Sequence, residues 1–131
     1  MSDGAATILL VEDEALLCWL LEETLLDRGY EVTLATSGND GLAAIEASQH
    51  FDLLISNIRL QDGPDGWSLA RRARELDPQI RVLFVSGDSA HEHADHGVPG
   101  SVMLSKPFEA EDFETAIADL LGTHSGEPEP G

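Results

Sequence analysis

Apolar residues gather in five short runs: Ile8-Leu9-Leu10-Val11, Val32-Thr33-Leu34-Ala35, Leu53-Leu54-Ile55, Val82-Leu83-Phe84-Val85 and Val102-Met103-Leu104. Each has strand length, and several carry β-branched residues. Most are continuous rather than alternating, which is the pattern of strands covered on both faces. Between them the apolar spacing turns helical. Glu14 to Arg28 carries Leu17, Leu20, Leu21, Thr24 and Leu25 and is ended by Gly29. Asn39 to Ser48 presents Leu42 and Ile45, and Trp67 to Leu76 presents Leu69, Ala70, Ala73 and Leu76 before Pro78. Glu109 to Leu121 presents Phe113, Ile117, Leu120 and Leu121, with Gly122 just beyond.

Strand and helix alternating in this way predict right-handed βαβ units, hence an α/β fold with a parallel sheet and helices on both faces. The segment from Asp88 to Gly100 departs from the pattern. It has few large apolar residues, so its helix is expected to be short and loosely anchored. Residues 1–6 read as a lead, 7–121 as one folded domain, and 122–131, which lack an apolar anchor, as a disordered tail.

Composition narrows the setting. The chain has 131 residues, 42% of them hydrophobic, enough for one cored domain. No apolar run approaches the roughly 20 residues that span a bilayer, and the start lacks the basic region of a signal peptide. Cys18 stands alone, which excludes a disulfide within a monomer and suits a reducing cytoplasm. Seven Lys and Arg against 25 Asp and Glu give a net charge of −18. Nucleic acid and anionic membrane are therefore poor partners; cations and basic protein surfaces are better ones.

In open parallel sheets, ligands bind beyond the carboxyl ends of the strands. The residues there are Glu12, Asp13 and Glu14 after the first run, Ser56 and Asn57 after the third, Ser86, Gly87 and Asp88 after the fourth, and Ser105, Lys106 and Pro107 after the fifth. Mg²⁺ takes hard oxygen ligands and commonly one or two carboxylates, which Glu12 and Asp13 can supply. A hydroxyl and a lysine facing the same point could hold phosphoryl oxygens. Acids also suit a bare helix N-terminus, and a single lysine or serine carries little weight. All four at matching strand ends carry more.

These pieces resemble the receiver domain of bacterial response regulators. The matching segments are Leu-Leu-Val-Glu-Asp-Glu (9–14), Phe-Asp-Leu-Leu-Ile-Ser-Asn (51–57), Asp-Gly-Trp (65–67), Val-Ser-Gly (85–87) and Ser-Lys-Pro-Phe (105–108), in order and at family-like spacing. The resemblance implies a flavodoxin-like five-stranded sheet in order 2-1-3-4-5. It also implies a cytoplasmic role in phosphorelay signalling, with phosphate donated to an aspartate by a histidine kinase or phosphotransfer protein. By the same resemblance, Glu12 and Asp13 are the Mg²⁺-binding acids, with the Arg59 backbone carbonyl as a further ligand. Ser86 is the switch hydroxyl and Lys106 the lysine that pairs with phosphoryl oxygens. The Lys106–Pro107 bond is often cis in such proteins.

Three positions depart from the family pattern. Asn57 stands where the phosphoacceptor aspartate belongs, and a neutral amide oxygen is a poor nucleophile toward phosphorus. Asn57 could still ligate Mg²⁺ through that oxygen. The residue is either a laboratory replacement of aspartate that locks the unphosphorylated state or the mark of a natural pseudo-receiver. Met103 takes the place of a switch aromatic, and Gln61 that of a frequent proline, while Asp62 and Asp65 read as turn formers.

The leading expectation is a stand-alone, non-enzymatic receiver, monomeric or weakly dimeric. It would dock a kinase, a phosphotransfer protein or a downstream target through the first helix or the fourth-to-fifth-helix face. A phosphorylation-independent interaction module is the alternative. A Mg²⁺-dependent phosphohydrolase is weaker, because that chemistry expects an Asp with a second Asp two residues on, and here Glu12 pairs with Glu14 and Asp13 with Ala15. A flavin site is weaker again, because the first loop is acidic. His91, His93 and His96 make a transition-metal site conceivable. Trp19, Trp67 and Cys18 read as packing residues.

Overall fold

The computed structural model describes residues 5–47, 50–88 and 90–122. The elements run β1 (Thr7–Val11), α1 (Ala15–Asp27), β2 (Glu31–Ala35), α2 (Gly38–Glu46), β3 (Leu53–Asn57), α3 (Gly66–Leu76), β4 (Arg81–Ser86), a 3₁₀ turn (Ala90–Glu92), α4 (His93–His96), β5 (Val102–Ser105) and α5 (Ala110–Leu121). All strand pairs are parallel, and the sheet order is β2-β1-β3-β4-β5. The chain thus turns outward from β1 in both directions. The expected tail falls outside the described residues except for Gly122, a left-handed cap of α5 at φ 67°. Residues 1–4 of the lead lie outside as well.

The central strands read as unbroken apolar runs because side chains alternate between two separate cores. Leu9, Val11, Leu54, Val82 and Phe84 point to one face, where Trp67, Leu69, Ala70 and Ala73 of α3 and Ile45 of α2 cover them. Ile8, Leu10, Leu53, Ile55 and Leu83 point to the other, under Cys18, Leu21 and Leu25 of α1 and Phe113 and Ile117 of α5. Phe84 fixes the first core, with its ring centroid 4.7 Å from that of Trp67 in edge-to-face geometry.

Local chemistry sets the helix starts. The Ser37 hydroxyl accepts from Asp40 N–H at 3.0 Å and caps α2. The Asp65 carboxylate accepts from Ser68 N–H at 2.9 Å and caps α3. Asp62 takes a left-handed φ of 54°, so both loop aspartates occupy positions that shape the chain.

Helix α1 departs from expectation. Leu21 and Leu25 are buried, but Leu20 is 47% exposed and Trp19, read as a packing residue, is 56% exposed. The helix is apolar nearly all round, whereas the sheet and α5 cover only one face of it, so Leu16, Trp19 and Leu20 remain outside. The fourth helix is as short as the sequence predicts, with four residues and none buried.

Candidate functional site

The carboxyl ends of β1, β3 and β4 and the start of the β5–α5 loop converge at one edge of the sheet. Glu12 follows β1 directly and is fully buried. Its Oε2 accepts from Glu14 N–H at 3.0 Å, while Oε1 has no hydrogen-bond partner and faces Lys106 Nζ at 3.7 Å. Asp13 lies beside it and accepts from Gln61 N–H at 3.0 Å through Oδ2. Proline at position 61 would lack that donor, so the departure at Gln61 gives Asp13 a fixed orientation. This contact was not legible in the sequence, since it depends on a backbone hydrogen 48 residues away.

Asn57 ends β3 in the middle of this set. Its Nδ2 lies 3.4 Å from Glu12 Oε2, 3.5 Å from Asp13 Oδ1 and 3.2 Å from the Arg59 carbonyl oxygen, and donates toward all three. Its Oδ1 accepts from Ile58 N–H at 2.9 Å. The amide oxygen, expected to face a cation, is thus turned away, because two carboxylates and a carbonyl call for a donor. Neighbouring contacts hold the strand end. Ser56 Oγ donates to the Asn57 carbonyl at 2.8 Å, and Gly66 packs so closely on that carbonyl that a Cβ there would collide with it.

Ser86 ends β4 and is almost fully buried; its Oγ accepts from Asp88 N–H at 3.2 Å. The Ser86 carbonyl accepts from Lys106 N–H at 2.8 Å, which ties the two strand ends together. The Lys106–Pro107 bond is cis. At the rim, Arg59 Nε donates to Asp88 Oδ1 at 3.1 Å in an exposed ion pair that sequence reasoning missed.

The geometry therefore gathers Glu12, Asp13, Asn57, the Arg59 carbonyl and Lys106 through direct contacts, with Ser86 at the neighbouring strand end. The histidines go elsewhere. The His93 and His96 rings lie 6.3 and 5.7 Å from Trp67, and His93 Nε2 is 2.9 Å from Ser101 Oγ. Among the described residues no group of three or more His, Cys, Asp or Glu is arranged around a metal position.

Burial pushes the Glu12 carboxyl above its ordinary range, an effect the Glu14 N–H and Lys106 oppose and the charges of Asp13 and Glu14 reinforce. The sign for stability follows. A raised folded-state value means that stability is fully present below the unfolded value and is lost as pH rises through the folded one. Glu12→Gln keeps an acceptor for Glu14 N–H but carries no charge. Its melting temperature relative to the parent should therefore rise from acid to neutral pH in metal-free buffer. Thermal unfolding across that range checks this, and a difference that shrinks with pH contradicts it.

A sequence profile of the Response regulator receiver domain matches residues 8–118. The chain belongs to that family. Its receiver fold and its place in two-component signalling follow from this membership. Response regulator receiver protein CpdR of Brucella abortus is 34% identical over 116 residues, covering 87% of this chain and 95% of CpdR. Sensor kinase CckA of the same organism is 33% identical over 122 residues, 90% of this chain but 13% of CckA, so the receiver also resembles one segment of a much longer kinase. A response regulator receiver protein from Sinorhizobium medicae superposes with a TM-score of 0.88 at 41% identity, covering 93% of this chain and 98% of its own. The receiver domain of sensor histidine kinase PA1611 of Pseudomonas aeruginosa, solved with a magnesium ion in its active site cleft, shares the fold (TM-score 0.78, 24% identity, 92% of this chain and 100% of its own).

Proposed function

We propose that this receiver, with Asn57 at the phosphoacceptor position, is held in the unphosphorylated state and signals by docking to protein partners in the cytoplasm. The observation that carries the reading is the Asn57 amide, hydrogen-bonded within a pocket that otherwise has its acids, its lysine and its buried hydroxyl. A carboxylate could attack phosphorus there and form an acyl phosphate, but an amide cannot. Glu12, Asp13 and the Arg59 carbonyl suit Mg²⁺ as hard oxygen donors, and Oε1 of Glu12, buried beside Lys106 with no hydrogen-bond donor, leaves room for a further positive partner. When bound, the ion would supply positive charge opposite phosphoryl oxygens. Lys106 would hold those oxygens from the other side, and Ser86 would offer them a hydroxyl.

The partner we infer is a histidine kinase or phosphotransfer protein, with a downstream protein target. The exposed Leu16, Trp19 and Leu20 support docking on α1, since they line one helix face just beyond the pocket acids. A phosphohydrolase is disfavoured by the same geometry. Glu12 is buried and bound to Glu14 N–H, and no Asp pair with the required spacing stands at that strand end. No helix among the described residues is long and apolar enough to cross a membrane.

The test is treatment of the parent and Asn57→Asp proteins with a small phosphodonor and Mg²⁺, read by intact mass. The parent should stay unmodified and the variant gain one phosphoryl group. A variant that stays unmodified, or a parent that is modified, refutes the reading.

A further inference from the structure

The Asn57 amide has only one sense that its surroundings accept. Turned over, it would set Oδ1 against three oxygens and Nδ2 against the Ile58 N–H, replacing four favourable contacts with four repulsive ones. The three oxygens come from the β1 end and the loop after β3, and they are those proposed above as cation ligands. The Nδ2 hydrogens lend positive partial charge at the point where those oxygens converge.

We propose that the Asn57 side-chain amide is an intramolecular occupant of the cation position, so that a divalent cation must displace it or turn it over to bind. This rests on the receiver reading and adds how its site is regulated: the pocket acids already have a donor in the Asn57 amide. An aspartate at position 57 would lack the donor and add repulsion toward Glu12 and Asp13, making a cation the natural partner. Asparagine replaces that dependence with two hydrogens shared among three oxygens at 3.2 to 3.5 Å. The occupancy is incomplete. Glu12 Oε1 is buried, has no hydrogen-bond partner, and finds Lys106 Nζ only at 3.7 Å. A buried oxygen that has a distant ion-pair partner but no hydrogen-bond donor keeps its pull on a cation, so the amide and the metal compete rather than exclude one another.

The competition reverses the usual expectation for deleting a side chain. If the amide oxygen were a net favourable ligand, Asn57→Ala would weaken Mg²⁺ binding. If the amide occupies the site, Asn57→Ala opens it and binding tightens. The two Nδ2 hydrogens, shared among three oxygens at 3.2 to 3.5 Å, are together worth about one ordinary hydrogen bond, which corresponds to about threefold to tenfold in affinity.

The experiment is a MgCl₂ titration of the full chain by ¹⁵N-resolved NMR, on the parent, Asn57→Ala and Asn57→Asp, with spectral dispersion reporting folding. In the parent, the Asn57 side-chain NH₂ pair and the Ile58 backbone N–H should shift together on saturation, because both of their hydrogen bonds change. Asn57→Ala should bind Mg²⁺ about threefold to tenfold more tightly than the parent, and Asn57→Asp more tightly than either. A weaker Asn57→Ala, or a saturated parent whose Asn57 and Ile58 signals stay in place, overturns the proposal. If Asn57→Asp is folded and does not bind Mg²⁺ at all, the receiver-site reading falls and this inference with it. If Asn57→Asp binds but Asn57→Ala lags the parent, only this inference falls.

Discussion

Phe84→Ala should cost about 3–5 kcal/mol of folding stability, the range found when a fully buried aromatic ring is truncated and its neighbours close the gap only in part. Phe84 lies on β4, has no exposed surface, and touches both Trp67 and the His93 ring, whose centroids lie 4.7 and 5.9 Å away. Its strand position pairs it with Ser56 on one side and Met103 on the other. The loss therefore falls on the layer that holds the β3 and β4 ends, from which Asn57 and Ser86 project. Urea unfolding should show a lower midpoint with an unchanged slope. Trp19→Ala, on the exposed face of α1, is the control and should change stability by no more than about 0.5 kcal/mol. A Phe84→Ala loss below about 1 kcal/mol would contradict the two-core packing.

That contrast between two aromatic residues shows what the sequence can and cannot convey. The five strands were legible because both sheet faces are covered, so the inner strands carry unbroken apolar runs. The short fourth helix was legible from its lack of large apolar residues. Helix α1 was misread in detail. Its leucines and Trp19 ring the helix, and only the assembled sheet decides which side is inside. At the site, the acids, the amide, the hydroxyl and the lysine could be placed by their strand ends. The Gln61 N–H to Asp13 and the Arg59 to Asp88 pair could not, since they depend on how loops fold across one another. The sense of the Asn57 amide was equally hidden, because it is set by three oxygens brought together only in the folded chain.

Lys106→Met, introduced into the Asn57→Asp background, should slow phosphoryl transfer from a small donor by about 100-fold or more. Lys106 is the one cation in contact with the pocket acids among the described residues; its Nζ is 3.7 Å from Glu12 Oε1 and its side chain only 23% exposed. A fixed cation at a shielded point stabilises charge gathering on transferred oxygens without reorganising at the moment of reaction, and losing one such group costs about 100-fold to 1000-fold. Lys106→Arg keeps the charge but changes its shape and reach, so it should recover part of the rate. Phosphoprotein formed per unit time, followed by mass for both variants, gives the measurement. A Lys106→Met rate within about threefold of its Asn57→Asp background would place the lysine outside the chemistry.

The Glu12 carboxyl ties the stability and the chemistry together. A fully buried acid with one oxygen that accepts no hydrogen bond is a poor choice for stability alone, and its cost fits a position kept for a cation or a charged group. Asn57 Nδ2 lies 3.4 Å from the other oxygen, Oε2, and on the reading proposed above an amide at this position gives up the nucleophile. The most direct measurement is the location of the phosphoryl group in the Asn57→Asp protein after treatment with a small phosphodonor and Mg²⁺, by peptide mass mapping alongside the parent. The expected result is one phosphoryl group on residue 57 of the variant and none on the parent. A group on any other residue, or on the parent chain, would contradict the assignment of this pocket.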